Sequence, residues 1–505
     1  MWIAHPIILP LNSMNGDDDT GTDPSTTGIR LFTEAKGDMM TDKKPEYLGE
    51  LKKQISRLPN VREEMRKNLI RKLEKKERLF PAMIGYDETV MPGLINAILC
   101  GHNIIFLGER GQGKSRLIRG MTDFLDDEIP AVAGCSINDD PFKPICVECK
   151  KRLAELGDDL PLTYIPRDRR LVEKLATSDV STADLIGEVD PIKIAQGRTL
   201  EDESAIHFGL VPRANRGIFA VNELPDLAEK IQVAFFNIME ENDFQIKGFP
   251  VRLPLDILIV ATANPEDYTS RGRIITPLKD RFDVQLRTHY PLEIKNEIAI
   301  MEQEARNPSL NGLEADVPQF IKEILAEMTF QARSSSEINQ QSGVSCRVSI
   351  RSYESIVGSA LKRCLELNEG KAVPRITDIE STFPAILGKL ELEYEVAEKN
   401  EGEILENLAK RAIKVVFDEH FKTDELKSII DSFKNGVAAE VSRSLPSMEY
   451  MDGYDVIPGM KDAVERLVDP NDPPKASSAM EFILEGLHLS NKLNKEVAER
   501  GIVYR

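Results

Sequence analysis

The chain has 505 residues, with 65 Lys+Arg against 84 Asp+Glu and a formal net charge of −19. That length predicts two to four domains, and the acidic balance is opposite in sign to that of a protein gripping nucleic acid by bulk charge, so nucleic acid is not an expected partner. Six cysteines are too few for a disulfide scaffold and fit a reducing compartment.

Residues 1–42 contain GDDDTGTDPSTTG and no sustained periodicity, which predicts disorder. The start, MWIAHPIILP, lacks a basic region and a small-residue cleavage site, so no signal peptide is read. Met39 and Met40 precede better-patterned sequence, and the expectation is that the native start lies at one of them. Residues 43–80 form a basic helical arm, with 13 Lys+Arg against 6 acids in 43–78. Leu51, Ile55 and Leu58 suggest one amphipathic helix; Pro59 breaks it, and a second runs from about Val61 to Leu79. The arm either meets an acidic partner or packs as a solvated helical face on an acidic domain, the commoner fate of a charge run.

From 81 to 291 the pattern is α/β. Apolar runs at 103–107, 162–165, 217–221 and 257–261 alternate with helical stretches such as Leu227, Ile231, Phe235 and Ile238. Continuous hydrophobicity marks strands buried on both faces, and helices between them predict a parallel sheet. The most apolar stretch, 251–263, carries Arg252 and Asp256 and falls short of the about 20 residues a membrane span needs. A cytoplasmic protein of bacterial type, without a membrane partner, is the expectation. Residues 292–400 read as an all-α domain and 401–505 as a further helical region, including helices from Ile404 to Phe417 and Met480 to Val497.

The strongest chemical signal is Gly108-Glu109-Arg110-Gly111-Gln112-Gly113-Lys114-Ser115. It has the full G-x-x-x-x-G-K-S spacing, after a predicted strand and before a predicted helix, which is the context the motif requires. Gly108, Gly111 and Gly113 let backbone N–H groups face phosphate oxygens. Lys114 then serves the β- and γ-phosphates and Ser115 a Mg²⁺ ion. A second apolar run, 217–221, ends in Asn222-Glu223. Glu223 is the candidate base that orients an attacking water, and Asn222 stands where an Asp is expected. A third run, 257–261, leads into Thr262-Ala263-Asn264-Pro265, whose Asn264 is placed to hold the γ-phosphate or the water. Arg281 in Leu278-Lys279-Asp280-Arg281-Phe282 and Arg347 in Gly343-Val344-Ser345-Cys346-Arg347 are candidates for transition-state charge from a neighbouring subunit and for closing a lid. Taken singly, such arginines are more often surface ion-pair residues.

In this order the motifs resemble those of AAA+ ATPases of the MoxR and magnesium-chelatase ATPase-subunit type. Two further segments support the resemblance. Ile84-Gly85-Tyr86 is similar to the opening box of the module, and Phe208 to Gly217 to the approach to Walker B in chelatase ATPase subunits. The similarity spans roughly residues 80–400. It implies a P-loop AAA+ core with helices on both faces of a parallel sheet, an all-α lid, and ATP with Mg²⁺ as ligands. Lys114 and Ser115 then fall on Walker A, Asn222 and Glu223 on Walker B, Asn264 on sensor 1, Arg281 on the arginine finger and Arg347 on sensor 2. The resemblance also implies a pre-sensor-1 hairpin at 244–253 and a helix-2 insertion within 185–211. It further implies a homo-oligomeric, commonly hexameric ring and a separate partner carrying a von Willebrand A domain. A sigma-54 activator is set aside because the chain has no GAFTGA loop.

Two functional readings follow. The first is a ring motor that remodels or activates a partner protein, with a metal–tetrapyrrole chelatase subunit as one variant. The second, motivated by Asn222, is a slow nucleotide-dependent scaffold. Outside both stands C-x₁₀-C-x₂-C at Cys135, Cys146 and Cys149, a spacing that suits Zn²⁺ but lacks a fourth ligand. His207 and Cys100 are the nearest candidates for it, and buried inert thiols are the alternative.

Overall fold

The computed structural model describes residues 44–189, 206–241, 253–264, 273–306, 313–340, 343–392, 401–498 and 501–505. The expected disordered segment 1–42 therefore lies outside the described residues, as do Pro265 and the 244–253 hairpin save for Leu253. The 185–211 insertion is described only at its two ends.

Five strands form the central sheet: β1 (Ile104–Leu107), β4 (Leu171–Leu175), β7 (Gly217–Asn222), β8 (Ile257–Ala263) and β9 (Val284–Arg287). Their spatial order is β4-β7-β8-β1-β9 and every pairing is parallel. The three inner strands are apolar except near their carboxyl ends, at Asn222 and Thr262, because both faces are covered. Alternate residues go to opposite sides. Ile105, Leu107, Phe219, Val221, Ile259 and Ala261 enter one core, while Ile104, Phe106, Ile218, Ala220, Leu258 and Val260 enter the other. The expected P-loop αβα core is thus the observed one.

One expected core strand is elsewhere. Leu162–Pro166 is β3, and it pairs antiparallel with β2 (Glu128–Val132) in a separate ribbon. Its place in the parallel sheet is taken by β4, whose sequence LVEKL sets two charged residues inside a short apolar run and which has only one neighbour. The ends of the 185–211 insertion form a second ribbon, β5 (Gly187–Val189) with β6 (Ile206–Phe208).

The basic stretch packs rather than projects. Helix Val61–Glu74 begins in a capping box between Asn60 and Glu63 and buries Val61, Met65 and Leu69 in the core under the sheet. Its Glu64 makes a fully buried bidentate pair with Arg170, 2.6 Å on each arm. The structure thus supports the packing reading over a free basic arm.

Beyond Pro291, helices Gln319–Ser334, Arg347–Glu366, Glu401–His420 and Pro473–Leu489 share one continuous core. Phe417 and Phe482 meet edge to face at 5.9 Å within it. The region is not wholly helical. The helix expected from Met480 to Val497 ends at Leu489, and β10 (Ala439–Val441), β11 (Lys495–Val497) and β12 (Ile502–Tyr504) make a small antiparallel sheet. Described residues from Pro45 onward form one compact unit. Among them no helix is long and apolar enough to cross a membrane.

Candidate functional site

The phosphate-loop motif sits where β1 turns into helix Lys114–Gly120, above the carboxyl ends of the strands. Gly111 and Gly113 both have φ near +78°, a conformation glycine adopts without steric cost. At Gly111 space is also decisive, because a Cβ would lie 1.8 Å from the Ser345 Oγ. Gln112 fixes the loop from within. Its Oε1 accepts from the Glu109 N–H at 3.0 Å and the Thr288 hydroxyl at 2.7 Å. The Tyr86 hydroxyl lies 2.7 Å from the Gln112 carbonyl and 2.8 Å from that of His289.

Three of the expected residues meet. The buried Lys114 ammonium donates to the Asn264 Oδ1 at 2.7 Å and to the Glu109 carbonyl at 2.9 Å. The Asn264 amide then donates to Glu223 Oε2 at 3.0 Å. Strands β1, β7 and β8 are adjacent, so their tips bring lysine, glutamate and asparagine together across about 150 residues of sequence. Glu223 holds a left-handed backbone at φ 57°, and its N–H donates to the Thr262 Oγ1 at 3.0 Å. Such a conformation costs roughly 1–3 kcal/mol and persists where neighbours over-determine it. The Asn222 Oδ1 lies 3.5 Å from the same Thr262 hydroxyl.

Lys114, Glu223 and Thr262 face a cavity of about 470 Å³, while Asn222 and Asn264 do not line it. Lys114, Ser115 and Glu223 line it from the core, Met83, Ile84 and Tyr86 from the segment before it, and Arg347 and Ile350 from the following α-domain. Arg347 is the first residue of its helix and is exposed. Cys346 beside it is buried, and burial pushes its thiol up to about 12, which keeps it protonated at neutral pH. Arg281 does not line the cavity. It pairs with Glu240 at 2.6 Å, and its guanidinium lies 5.2 Å from the Phe236 ring centroid.

Other residues that organise the site went unremarked in the sequence. Arg116 makes a bidentate pair with Glu304, tying the phosphate-loop helix to helix Ile294–Glu304. Arg333 donates to Glu297 at 2.8 Å and lies over the Tyr290 ring, whose hydroxyl donates to the Arg110 carbonyl. No motif marks these residues; only their contacts do.

The cysteines converge as well. Cys135, Cys146, Cys149 and Asp139 each place a ligand-type atom within 4.8 Å of the other three. The expected fourth partners do not take part. Cys100 is exposed at the end of its helix, and His207 meets Arg213 at 3.0 Å. Hydrogen bonds from the Cys146 and Cys149 thiols hold Cys135 well below the usual thiol range.

Comparison with known proteins bears on the whole arrangement. No family model matches the chain. It is 27% identical over 257 residues to the magnesium-chelatase subunit ChlI of Nostoc sp., covering 50% of this chain and 63% of that one. It is 29% identical over 234 residues to the chloroplastic subunit ChlI-1 of Arabidopsis thaliana, covering 45% and 51%. The chain is a homologue of the magnesium-chelatase ChlI subunits. It spans between half and two thirds of the length of these ChlI relatives. Among solved structures, a chain from the BchI–BchD complex of magnesium chelatase aligns over 63% of this chain and 98% of its own, with 18% identity and a TM-score of 0.33.

Proposed function

We propose that this AAA+ relative of ChlI hydrolyses ATP with Mg²⁺ as a ring oligomer and uses the energy to remodel or activate a separate partner protein. The observation that carries the reading is the hydrogen-bonded series Lys114–Asn264–Glu223, whose two ends line one cavity. The residues fit the nucleotide. Gly111 and Gly113 hold positive φ, and the loop ends at the amino end of a helix, where phosphate is favoured. Lys114 carries the charge for the β- and γ-phosphates. Ser115 and Asn222 would hold Mg²⁺, which when bound neutralises charge developing on the phosphates. Glu223 orients the attacking water, and Asn264 fixes the carboxylate and senses the γ-phosphate position. Arg347 reaches the cavity from the α-domain and closes it. Arg281, paired on the surface away from this cavity, serves the site of the next subunit.

A hexameric ring, a partner with a von Willebrand A domain and a cytoplasmic setting follow from the MoxR and chelatase resemblance. A variant of the same reading makes the partner the rest of a metal–tetrapyrrole chelatase. Asn222 favours a second reading, a slow nucleotide-dependent scaffold, because an amide brings no charge to Mg²⁺.

Steady-state Mg²⁺-dependent ATP turnover of the wild type and Glu223→Gln tests the proposal. Loss of the positioned carboxylate should lower turnover by about 10²–10⁴-fold while nucleotide binding persists. Equal turnover in the two proteins would sink the motor reading. A wild type that binds ATP but barely turns it over would select the scaffold.

A further inference from the structure

We propose that Cys135, Asp139, Cys146 and Cys149 form a structural zinc site that clamps the excursion between β2 and β3. The chain leaves β2 at Val132, turns through Cys135 and Asp139, and begins helix Val147–Leu156 with Cys146 at its cap. All four candidate ligand atoms lie within 4.8 Å of one another. A tetrahedral ion with bonds of about 2.3 Å to sulfur holds its ligands about 3.7 Å apart, so small side-chain adjustments complete the geometry.

Charge makes the same point independently. Asp139 is fully buried, yet among the described residues no lysine or arginine pairs with it. Its two oxygens accept the Ile145 and Cys146 backbone N–H groups, each at 3.1 Å, and the Cys146 thiol is its side-chain partner. A buried carboxylate beside three thiols requires a cation or protons to be tolerable. A divalent ion supplies that charge and leaves both backbone bonds in place.

Backbone donors also point at two of the sulfurs. The Ile137 N–H points at Cys135 Sγ at 3.4 Å, and the Cys149 N–H at Cys146 Sγ at 3.3 Å. Hydrogen bonds to a charged form favour it. Cys146 caps the ten-residue helix Val147–Leu156 and Cys149 lies in its first turn, so the helix start brings the two sulfurs together. Three thiolates with one carboxylate suit Zn²⁺ over Mg²⁺ or Ca²⁺, which prefer oxygen. An iron–sulfur cluster needs its cysteines spread around several irons, which this tight set does not offer.

The clamp has a structural purpose. The same excursion is held by the Arg152 side chain on the Ala133 carbonyl and by Asn215 on the Ile137 carbonyl. Asn215 also accepts from the Asp256 N–H next to β8. The site therefore anchors the excursion to the segment that leads into the central sheet, apart from the nucleotide cavity.

The test is metal content of the full-length chain, purified without a polyhistidine tag and dialysed, measured by plasma mass spectrometry. About one zinc per chain is expected, and Cys149→Ser should fall to below about a tenth of that. Folding of each variant is checked by circular dichroism. Reconstitution with Co²⁺ should give thiolate charge-transfer bands and intense tetrahedral d–d bands. Asp139→Asn should keep the former and shift the latter. Folded wild type that carries no zinc as purified or after zinc incubation overturns the site. So does a disulfide among the three cysteines, or iron with labile sulfide. An unchanged Co²⁺ spectrum in Asp139→Asn would remove Asp139 from it.

Discussion

Asn222 carries the sharpest chemical question at the scale of single residues. It ends β7 beside Glu223, and its Oδ1 lies 3.5 Å from the Thr262 hydroxyl that also receives the Glu223 N–H. An Asp of the same shape keeps the Thr262 contact and adds a full negative charge next to the proposed Mg²⁺ position. One stronger charge-assisted interaction in the transition state is worth on the order of 1.4 kcal/mol, so Asn222→Asp should raise turnover by roughly tenfold. Steady-state ATPase assays across Mg²⁺ concentration read this directly. Turnover at or below the wild-type value would show that the amide is not what limits hydrolysis. Residues of this kind were legible in the sequence because their chemistry is local: a glycine-rich turn between strand and helix, or a polar tip after an apolar run. Asp139 was not legible. It is one of 84 acids, and nothing but the fold brings it to the three cysteines.

Elements divide along the same line between local and non-local causes. The inner strands β1, β7 and β8 were readable because burial on both faces makes them continuous apolar runs up to their polar tips. The edge strands β4 and β9 were not. LVEKL and VQLR have one sheet neighbour each and mix charged or polar residues into a short apolar run, so they mimic loops. Conversely, Leu162–Pro166 is apolar enough to imitate a core strand while pairing in a ribbon. Packing between helices gives a prediction that sequence alone would miss. Gly486 lies in helix Pro473–Leu489, and a Cβ there would come within 2.0 Å of the Phe417 ring. Gly358 lies in helix Arg347–Glu366 with nothing within 4 Å. Helix propensity alone favours alanine at both by about 1 kcal/mol. Overpacking against a buried ring costs about 1–3 kcal/mol and reverses the sign at Gly486. Gly486→Ala should therefore lower the apparent melting temperature and Gly358→Ala should raise it. A shift in the same direction for both would mean that Phe417 yields freely and the helix crossing is loose.

At the scale of the whole molecule, the position of Arg281 asks for a neighbour. Lys114 and Glu223 line one cavity and Asn264 bonds both, whereas Arg281 is held by Glu240 and Phe236 and does not line that cavity. In the ring proposed above, one heterologous interface repeats head to tail, and each subunit's arginine is offered to the site of the next. This can be separated from a purely structural role by mixing two inactive proteins. Glu223→Gln lacks the water-orienting carboxylate but keeps Arg281; Arg281→Ala keeps Glu223 but lacks the arginine. Each alone should be nearly inactive, since removal of such an arginine costs about 10³–10⁵-fold. In mixed rings, an interface between an Arg281→Ala site and a Glu223→Gln arginine has both parts intact. Random equal mixing makes that combination one half times one half of all interfaces, so about a quarter of wild-type turnover should return. Recovery should grow with protein concentration as rings form, and a subunit carrying both substitutions should restore none. If mixing restores nothing while both variants bind ATP and assemble, Arg281 acts within its own subunit or only supports the fold, and the shared-site motor fails at its central step.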